Sequence, residues 1–231
     1  MIIPIRLRYS NAYLLQSHHK SILIDTGCKG QHSHILNTLE QYQIRKEEIA
    51  LIVHTHIHPD HCGSTLELAS LLGVPTMIHI HEYESLLSGK AKGLIAQGWE
   101  GHVLKRFVLN LGITYFEPDH FMREDRLSLK PFGVNATALL TPGHTAGSIS
   151  IIDHDSQEAI VGDLLMGGYL FNTFRPSQPR LHYFIQDARL LKWSINQLLA
   201  HPVSRWHPGH GGPLSAIKLR QGMSHFLTYI T

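Results

Sequence analysis

The sequence predicts a mixed α/β domain in which two β-sheets pack face to face with helices outside. Three observations carry this. Runs of strand-like residues followed by helical spacing occur twice along the chain. The length of 231 residues suits one large domain or two small ones, with room for a substantial core. Hydrophobic residues make up 43% of the chain, yet no stretch approaches the ~18 continuous apolar residues of a membrane span.

Residues 2–8, 12–16 and 21–26 are rich in Ile and Leu and end at Asp25-Thr26-Gly27, a strand pattern closed by a turn. Ile35, Leu36, Leu39 and Tyr42 then fall at helical spacing within 31–43. Ala50 to Val53 is a short apolar run that reads as a buried strand. A second helix is expected over 62–72, carried by Leu66, Leu68, Ala69, Leu71 and Leu72, with Gly73 where the helix stops. Val74 to His79 reads as the next strand.

Residues 82–125 differ in character. Lys90, Lys92, Lys105 and Arg106 mix with Leu86, Leu87, Leu94, Ile95, Phe107 and Leu111. One or two helices and a loop are expected, forming a helical lid inserted into a single domain. Strands are expected again over 127–130, 134–140, 148–152 and 158–162. Helices follow over 186–200 and 215–229, with a short strand at 205–207 between them. No repeat, linker or low-complexity tract interrupts this order.

The net charge of +2 is too small to argue for nucleic acid or an anionic membrane as partner. The opening residues lack a basic region followed by an apolar block and a cleavage site, so they read as a first strand and not as an export signal. Cys28 and Cys62 are too few for a disulfide framework and suit a reducing compartment. A cytoplasmic protein acting on a small molecule is the expectation.

Histidine is the outlier, with 19 copies. The densest cluster is His54-Thr55-His56-Ile57-His58-Pro59-Asp60-His61-Cys62-Gly63, placed between an apolar strand and a helix. His56 and His58 are two positions apart, so an extended backbone points both the same way. Asp60 and His61 follow where the chain turns, and can face a second ion. Imidazole and carboxylate are donors that zinc and similar divalent ions accept. Three more candidates sit in glycine-flanked loops after strands: His144 in Thr-Pro-Gly-His-Thr-Ala-Gly, Asp163 in Gly-Asp-Leu-Leu, and His210 in His-Pro-Gly-His-Gly-Gly.

Asp25, the run from His56 to His61, His144, Asp163 and His210, in that order, resemble the metallo-β-lactamase-fold hydrolase superfamily, with its glyoxalase II-like and lactonase-like members. The resemblance spans nearly the whole chain. It implies a four-layer αββα sandwich with the site at one edge between the sheets. It also implies that His56, His58 and His144 bind one ion, that Asp60, His61 and His210 bind another, and that Asp163 bridges them. Asp25 would orient ligands from behind. A metal-bridging hydroxide would attack a lactone, ester or thioester carbonyl, and Asp60 would carry its proton to the leaving group. Zinc is the first metal by this reading; iron and manganese accept the same donors.

The resemblance also covers other chemistries: persulfide oxidation at a single iron, phosphodiester hydrolysis, and a binding domain without catalysis. Filled ligand positions argue against the last. With so short a stretch after His210, the helical C-terminal domain of long glyoxalase II enzymes is not expected. Secreted β-lactamases and nucleases of the fold are disfavoured by the N-terminus, the aspartate at 163 and the modest charge. A homodimer is admitted, since many relatives dimerise. Tyr169, His182 and Tyr183 are candidates to touch substrate, with Phe171 and Phe174 nearby. Trp99, Phe107 and Leu111 would supply an apolar wall from the lid. His54 is expected to be buried and hydrogen-bonded, His207 to be a strand residue, His79 and His81 to lie on the surface, and Cys62 to be a small buried side chain.

Overall fold

The computed structural model describes residues 1–17, 20–92, 94–108, 111–169 and 174–227, the side chains of 107–108 and 222–227 excepted. The first half builds one sheet. β1 (Ile2–Arg6), β2 (Asn11–Gln16) and β3 (Ser21–Ile24) form an antiparallel meander. α1 (His32–Gln41) crosses to β4 (Ile49–Val53), which runs parallel to β3. A single helical turn, α2 (Pro59–Cys62), and α3 (Thr65–Leu72) lead to β5 (Thr76–His79), parallel to β4. α4 (Tyr83–Ser88) and α5 (Gly98–Val108) precede β6 (His120–Met122), which pairs with β5 and completes the order β1-β2-β3-β4-β5-β6.

The second sheet begins with the antiparallel strands β7 (Arg126–Ser128), β8 (Ala136–Leu140), β9 (Ile149–Asp153) and β10 (Glu158–Gly162). A separate ribbon, β11 (Met166–Tyr169) and β12 (Phe174–Arg180), comes next. After α6 (Ala188–Leu199), β13 (Arg205–Pro208) joins β10 in parallel, and β14 (Leu214–Ser215) closes the edge before α7 (Ala216–Leu227).

Strand alternation sets the layers. Leu15, Ile22, Ile24, Leu51 and Val53 of the first sheet meet Ala136, Ala138, Ile149, Ile151 and Ile160 of the second in one buried cluster. Their neighbours Leu14, Leu23 and Ile52 face the other way and pack on Ile35 and Leu39 of α1 and Leu68 and Leu72 of α3. Ile152, Ala159 and Val161 likewise turn outward onto Leu191, Ile195 and Leu198 of α6. Each sheet is thus buried on both faces, which is why its strands read as nearly continuous apolar runs. The result is the expected αββα arrangement.

Several boundaries differ from expectation for local reasons. The strand expected to reach residue 26 stops at Ile24, because Asp25 takes a left-handed backbone with φ 62°. The helix expected over 62–72 divides at Gly63-Ser64, where Gly63 N donates to Gly27 O. A Cβ on Gly63 would lie 2.3 Å from Lys29 N, so only glycine lets the two segments touch. Gly73 does end α3, at φ 67°. The ribbon β11–β12 carries no strand signal in the sequence, since Pro176 and Pro179 interrupt its second strand.

Within 82–125 the structure places α4 and α5, while residues 120–122 belong to the first sheet. Trp99 and Leu111 are exposed, at 74% and 47%. The side chain of Phe107 and all of Phe171 lie outside the described residues. His79 is buried and not on the surface, because β6 covers the edge of β5 where it sits; His81 is exposed.

Candidate metal centre

The parallel strands β3 and β4 finish on the same edge, and their continuations carry the first donors. Asp25 N donates to Val53 O, and His54 N donates to Met77 O, so both segments stay tied to the sheet as they leave it. Ile149 N donates to Thr55 O, joining this loop to β9 of the second sheet. His58 precedes α2, whose first residue is Pro59. The loops after β8, β10 and β13 bring His144, Asp163 and His210 to the same edge. Gly143 in the first of these has φ 137° and presses on α6, where a Cβ would stand 2.3 Å from Leu191 N.

Each candidate histidine has one ring nitrogen committed away from the centre. His61 Nδ1 donates to Asp25 Oδ2 at 2.8 Å. His144 Nδ1 donates to Phe184 O at 2.8 Å, and His210 Nδ1 to Tyr9 O at 2.8 Å. His58 turns Nε2 to Lys92 O at 3.3 Å. For His56 the chain has an extra link. Thr55 Oγ1 donates to Asp25 Oδ2 at 2.7 Å, so it accepts from His56 Nδ1 at 3.1 Å. Asp25, buried and also accepting from Thr55 N at 2.8 Å, therefore aligns His61 directly and His56 through Thr55. Such partners fix the tautomer of a metal-binding imidazole.

The other nitrogens face one another. His58 Nδ1 lies 3.1 Å from His144 Nε2, two lone pairs in contact unless a cation stands between them. Asp163 Oδ2 lies 3.6 Å from His56 Nε2, 3.4 Å from His144 Nε2 and 3.3 Å from His210 Nε2. Asp163 Oδ1 is 3.5 Å from His61 Nε2, and Asp60 Oδ2 is 3.8 Å and 3.4 Å from the Nε2 atoms of His61 and His210. Donors bound at ~2.1 Å to one tetrahedral ion stand ~3.4 Å apart, which is the spacing seen. His56 Nε2, His61 Nε2 and Asp163 Oδ1 are buried with no hydrogen-bond partner, a costly arrangement in a protein interior. Gly209 leaves the space open: a Cβ there would lie 2.3 Å from Asp163 Oδ1. The residues fit divalent metal ions in overlapping groups among the described residues, His56-His58-His144-Asp163, Asp60-His61-His210 and Asp163-His182-His210.

The electrostatics agree. Burial drives the His56 and His144 imidazoles well below their usual range, and lowers His58, so all three favour the neutral, ligating form. Burial also opposes charge on His61, but Asp163, Asp60 and Asp25 outweigh it and hold this imidazole well above its ordinary value. His210 is raised for the same reason, mainly by Asp163. Burial would lift the Asp163 carboxyl; His210, His182 and His61 instead hold it well down. Protons on His61 and His210 thus stand in for cationic charge that the carboxylates demand.

Of the other candidates, Asp60 sits at the rim with its side chain 24% exposed. His182 is buried against the centre, with Nε2 3.2 Å from Asp163 Oδ2; burial pushes it down to about 4. Tyr183 is buried and Tyr169 is exposed, and the Arg180 guanidinium lies 4.9 Å from each ring. These residues line a cavity of about 490 Å³ with Gln97, Gly98, Leu181 and His182. Phe174 is exposed. His54 is buried and within 2.9 Å of Thr65 Oγ1, His207 is in β13 beside Glu158, and Cys62 Sγ donates to His58 O.

Sequence reasoning missed two supports. Thr55 links Asp25 to His56, and its place between two histidines was the only signal. Glu82, buried, accepts from Ile57 N through Oε2 and from Gly147 N through Oε1, clamping the two histidine loops together. No local spacing announces that contact.

Comparison with known proteins agrees with this architecture. The family model described as the metallo-beta-lactamase superfamily matches residues 5–211. A probable metallo-hydrolase of Methanocaldococcus jannaschii, MJ0888, is 31% identical over 208 residues, covering 87% of each chain. Hydroxyacylglutathione hydrolase GloC of Haemophilus influenzae is 30% identical over 76% of each chain. The solved structure of the BLEG-1 B3 metallo-beta-lactamase superposes over 100% of both chains with a TM-score of 0.70 at 24% identity, a likeness of fold.

Proposed function

The chain belongs to the metallo-beta-lactamase superfamily, and on that premise we propose that it is a dinuclear metal-dependent hydrolase of a thioester, ester or lactone. The observation that carries the reading is the set of bare, buried donors converging on Asp163. In this reading His56, His58 and His144 would hold one ion, Asp60, His61 and His210 the other, and Asp163 would serve both. Zinc suits the donors, which are imidazole and carboxylate without thiolate; iron and manganese accept them too. When bound, such ions supply a hydroxide from water near neutral pH and polarise a carbonyl.

The chain's own residues supply the rest. Asp25 and the carbonyls of Phe184, Tyr9 and Lys92 keep the imidazoles aimed inward. Asp60, at the half-open rim, is placed to take a proton from the attacking water and deliver it to the leaving sulfur or oxygen. The cavity beside His182 receives the body of a small-molecule substrate, with Tyr169 and Tyr183 in its wall. The thioester comes first because the H. influenzae relative is named for hydroxyacylglutathione hydrolysis. Free thiols at Cys28 and Cys62 suit a reducing cytoplasm, and among the described residues no helix is long and apolar enough to cross a membrane.

The test is a panel of hydroxyacyl-glutathione thioesters, aryl esters and lactones offered to protein loaded with zinc, manganese or iron. Turnover that chelation abolishes is expected. Silence across the panel, with turnover of a phosphodiester or of glutathione persulfide, refutes the reading.

A further inference from the structure

His182 stands among the metal-site histidines yet its ring is wired in the opposite sense. Its Nδ1 accepts from Phe184 N at 3.2 Å. The Phe184 carbonyl, 3.3 Å from the same Nδ1, is the longer contact and also accepts from His144 Nδ1 at 2.8 Å. An imidazole that accepts at Nδ1 carries its one proton on Nε2. His56, His58 and His144 each commit an N–H outward and turn a lone pair inward, and His61 and His210 likewise donate outward through Nδ1. His182 turns an N–H inward, at 3.2 Å from Asp163 Oδ2.

A lone pair is what a metal requires, and a protonated nitrogen has none. His182 is therefore not one more ligand, although it lies close enough to Asp163 and His210 to form a third donor group with them. Its ring stands edge to face with His144, centroids 4.5 Å apart, and lines the cavity that runs out past Tyr183 and Gln97. His182 is thus the side chain of the centre that also lines this cavity.

We propose that His182 is a catalytic hydrogen-bond donor to the carbonyl oxygen of the substrate, and not a metal ligand; this rests on the carbonyl-hydrolase reading above. Its Nε2–H lies 3.2 Å from Asp163 Oδ2, at the centre where the carbonyl would react, and a fixed donor in a dry site stabilises charge developing there strongly. The ring needs no rotation to act, since Phe184 N already holds it.

Two variants test this, His182→Phe, which keeps a ring without the donor, and His182→Gln, which restores an N–H. Both are expected to retain two metals per chain and, when loaded with cobalt(II), the wild-type visible spectrum. His182→Phe is expected to lose roughly 100-fold in kcat/KM on a hydroxyacyl-glutathione thioester, as loss of one such donor does. His182→Gln should recover at least part of it. A changed cobalt spectrum or a lost metal overturns the proposal by making His182 a ligand. Full activity of His182→Phe, with the wild type active, overturns it by removing the donor role. An inactive wild type is a different failure, that of the carbonyl-hydrolase reading itself.

Discussion

Asp25 is the residue whose replacement the structure makes most calculable. Its carboxylate is buried and accepts from Thr55 N at 2.8 Å, Thr55 Oγ1 at 2.7 Å and His61 Nδ1 at 2.8 Å. Asp25→Asn preserves size, and asparagine tolerates the left-handed backbone at φ 62°. Oδ1 can still accept from Thr55 N. The new amide nitrogen, however, faces the Thr55 hydroxyl and His61 Nδ1, both of which now donate. Leaving a buried donor unmatched costs about 1–3 kcal/mol. Charged against metal-site order, such a loss corresponds to a fall in metal affinity of about 10–100-fold, the usual cost of removing a partner that orients a ligand. Both groups of donors should suffer, because Thr55 passes the effect to His56. The assay is competition with a chromophoric chelator, run on wild type and variant. Affinity within about twofold of wild type would refute the claim that Asp25 sets the ligand orientation.

Further outcomes follow from the same geometry. Gly209→Ala deletes no donor, yet its Cβ would stand 2.3 Å from Asp163 Oδ1 and 2.6 Å from His61 Cε1, so metal binding should fall while Gly112→Ala, which meets nothing within 4 Å, leaves it intact. Equal metal affinity in the two would contradict the cradle. In the metal-free protein His61 and His210 are raised above the ordinary imidazole value of ~6.5. Their stabilisation is complete below that pH and is lost as pH rises through the folded values, because only the folded chain still holds the protons. Tm of metal-free protein should therefore fall as pH increases above ~6.5, and metal loading over that window should release protons into the buffer. A flat Tm together with no proton release would contradict the assignment. Asp163→Ala, which removes the carboxylate nearest both donor groups, should abolish paired metal binding, read as metal content after dialysis.

Why some of this was readable in the sequence and some was not comes down to what each feature depends on. The two sheets announce themselves because strands such as Ser21–Ile24 and Ile49–Val53 are buried on both faces and must be apolar throughout. The donors announce themselves because His56, His58, Asp60 and His61 fall within one turn-bound stretch, and glycine-rich loops mark His144 and His210. What aims those imidazoles is another matter. The carbonyls of Tyr9, Lys92 and Phe184 could belong to any residue type, so no sequence pattern points to them. Glu82 acts across separate loops, and its contacts exist only once the chain has folded. His79 and the ribbon β11–β12 are not legible in the sequence because pairing partners decide both: β6 is three residues long, and the prolines of β12 mask its extended backbone. His182 drew notice as a candidate for substrate contact, but the sense of its ring rests on one backbone N–H.

The central claim is that two metal ions share Asp163 between five imidazoles and a second carboxylate. Metal content per chain, by mass spectrometry of protein purified without chelator or added metal, tests it most directly. Close to two divalent ions per chain, mainly zinc, is the predicted result. A single iron per chain, unchanged on loading with zinc or manganese, would contradict it.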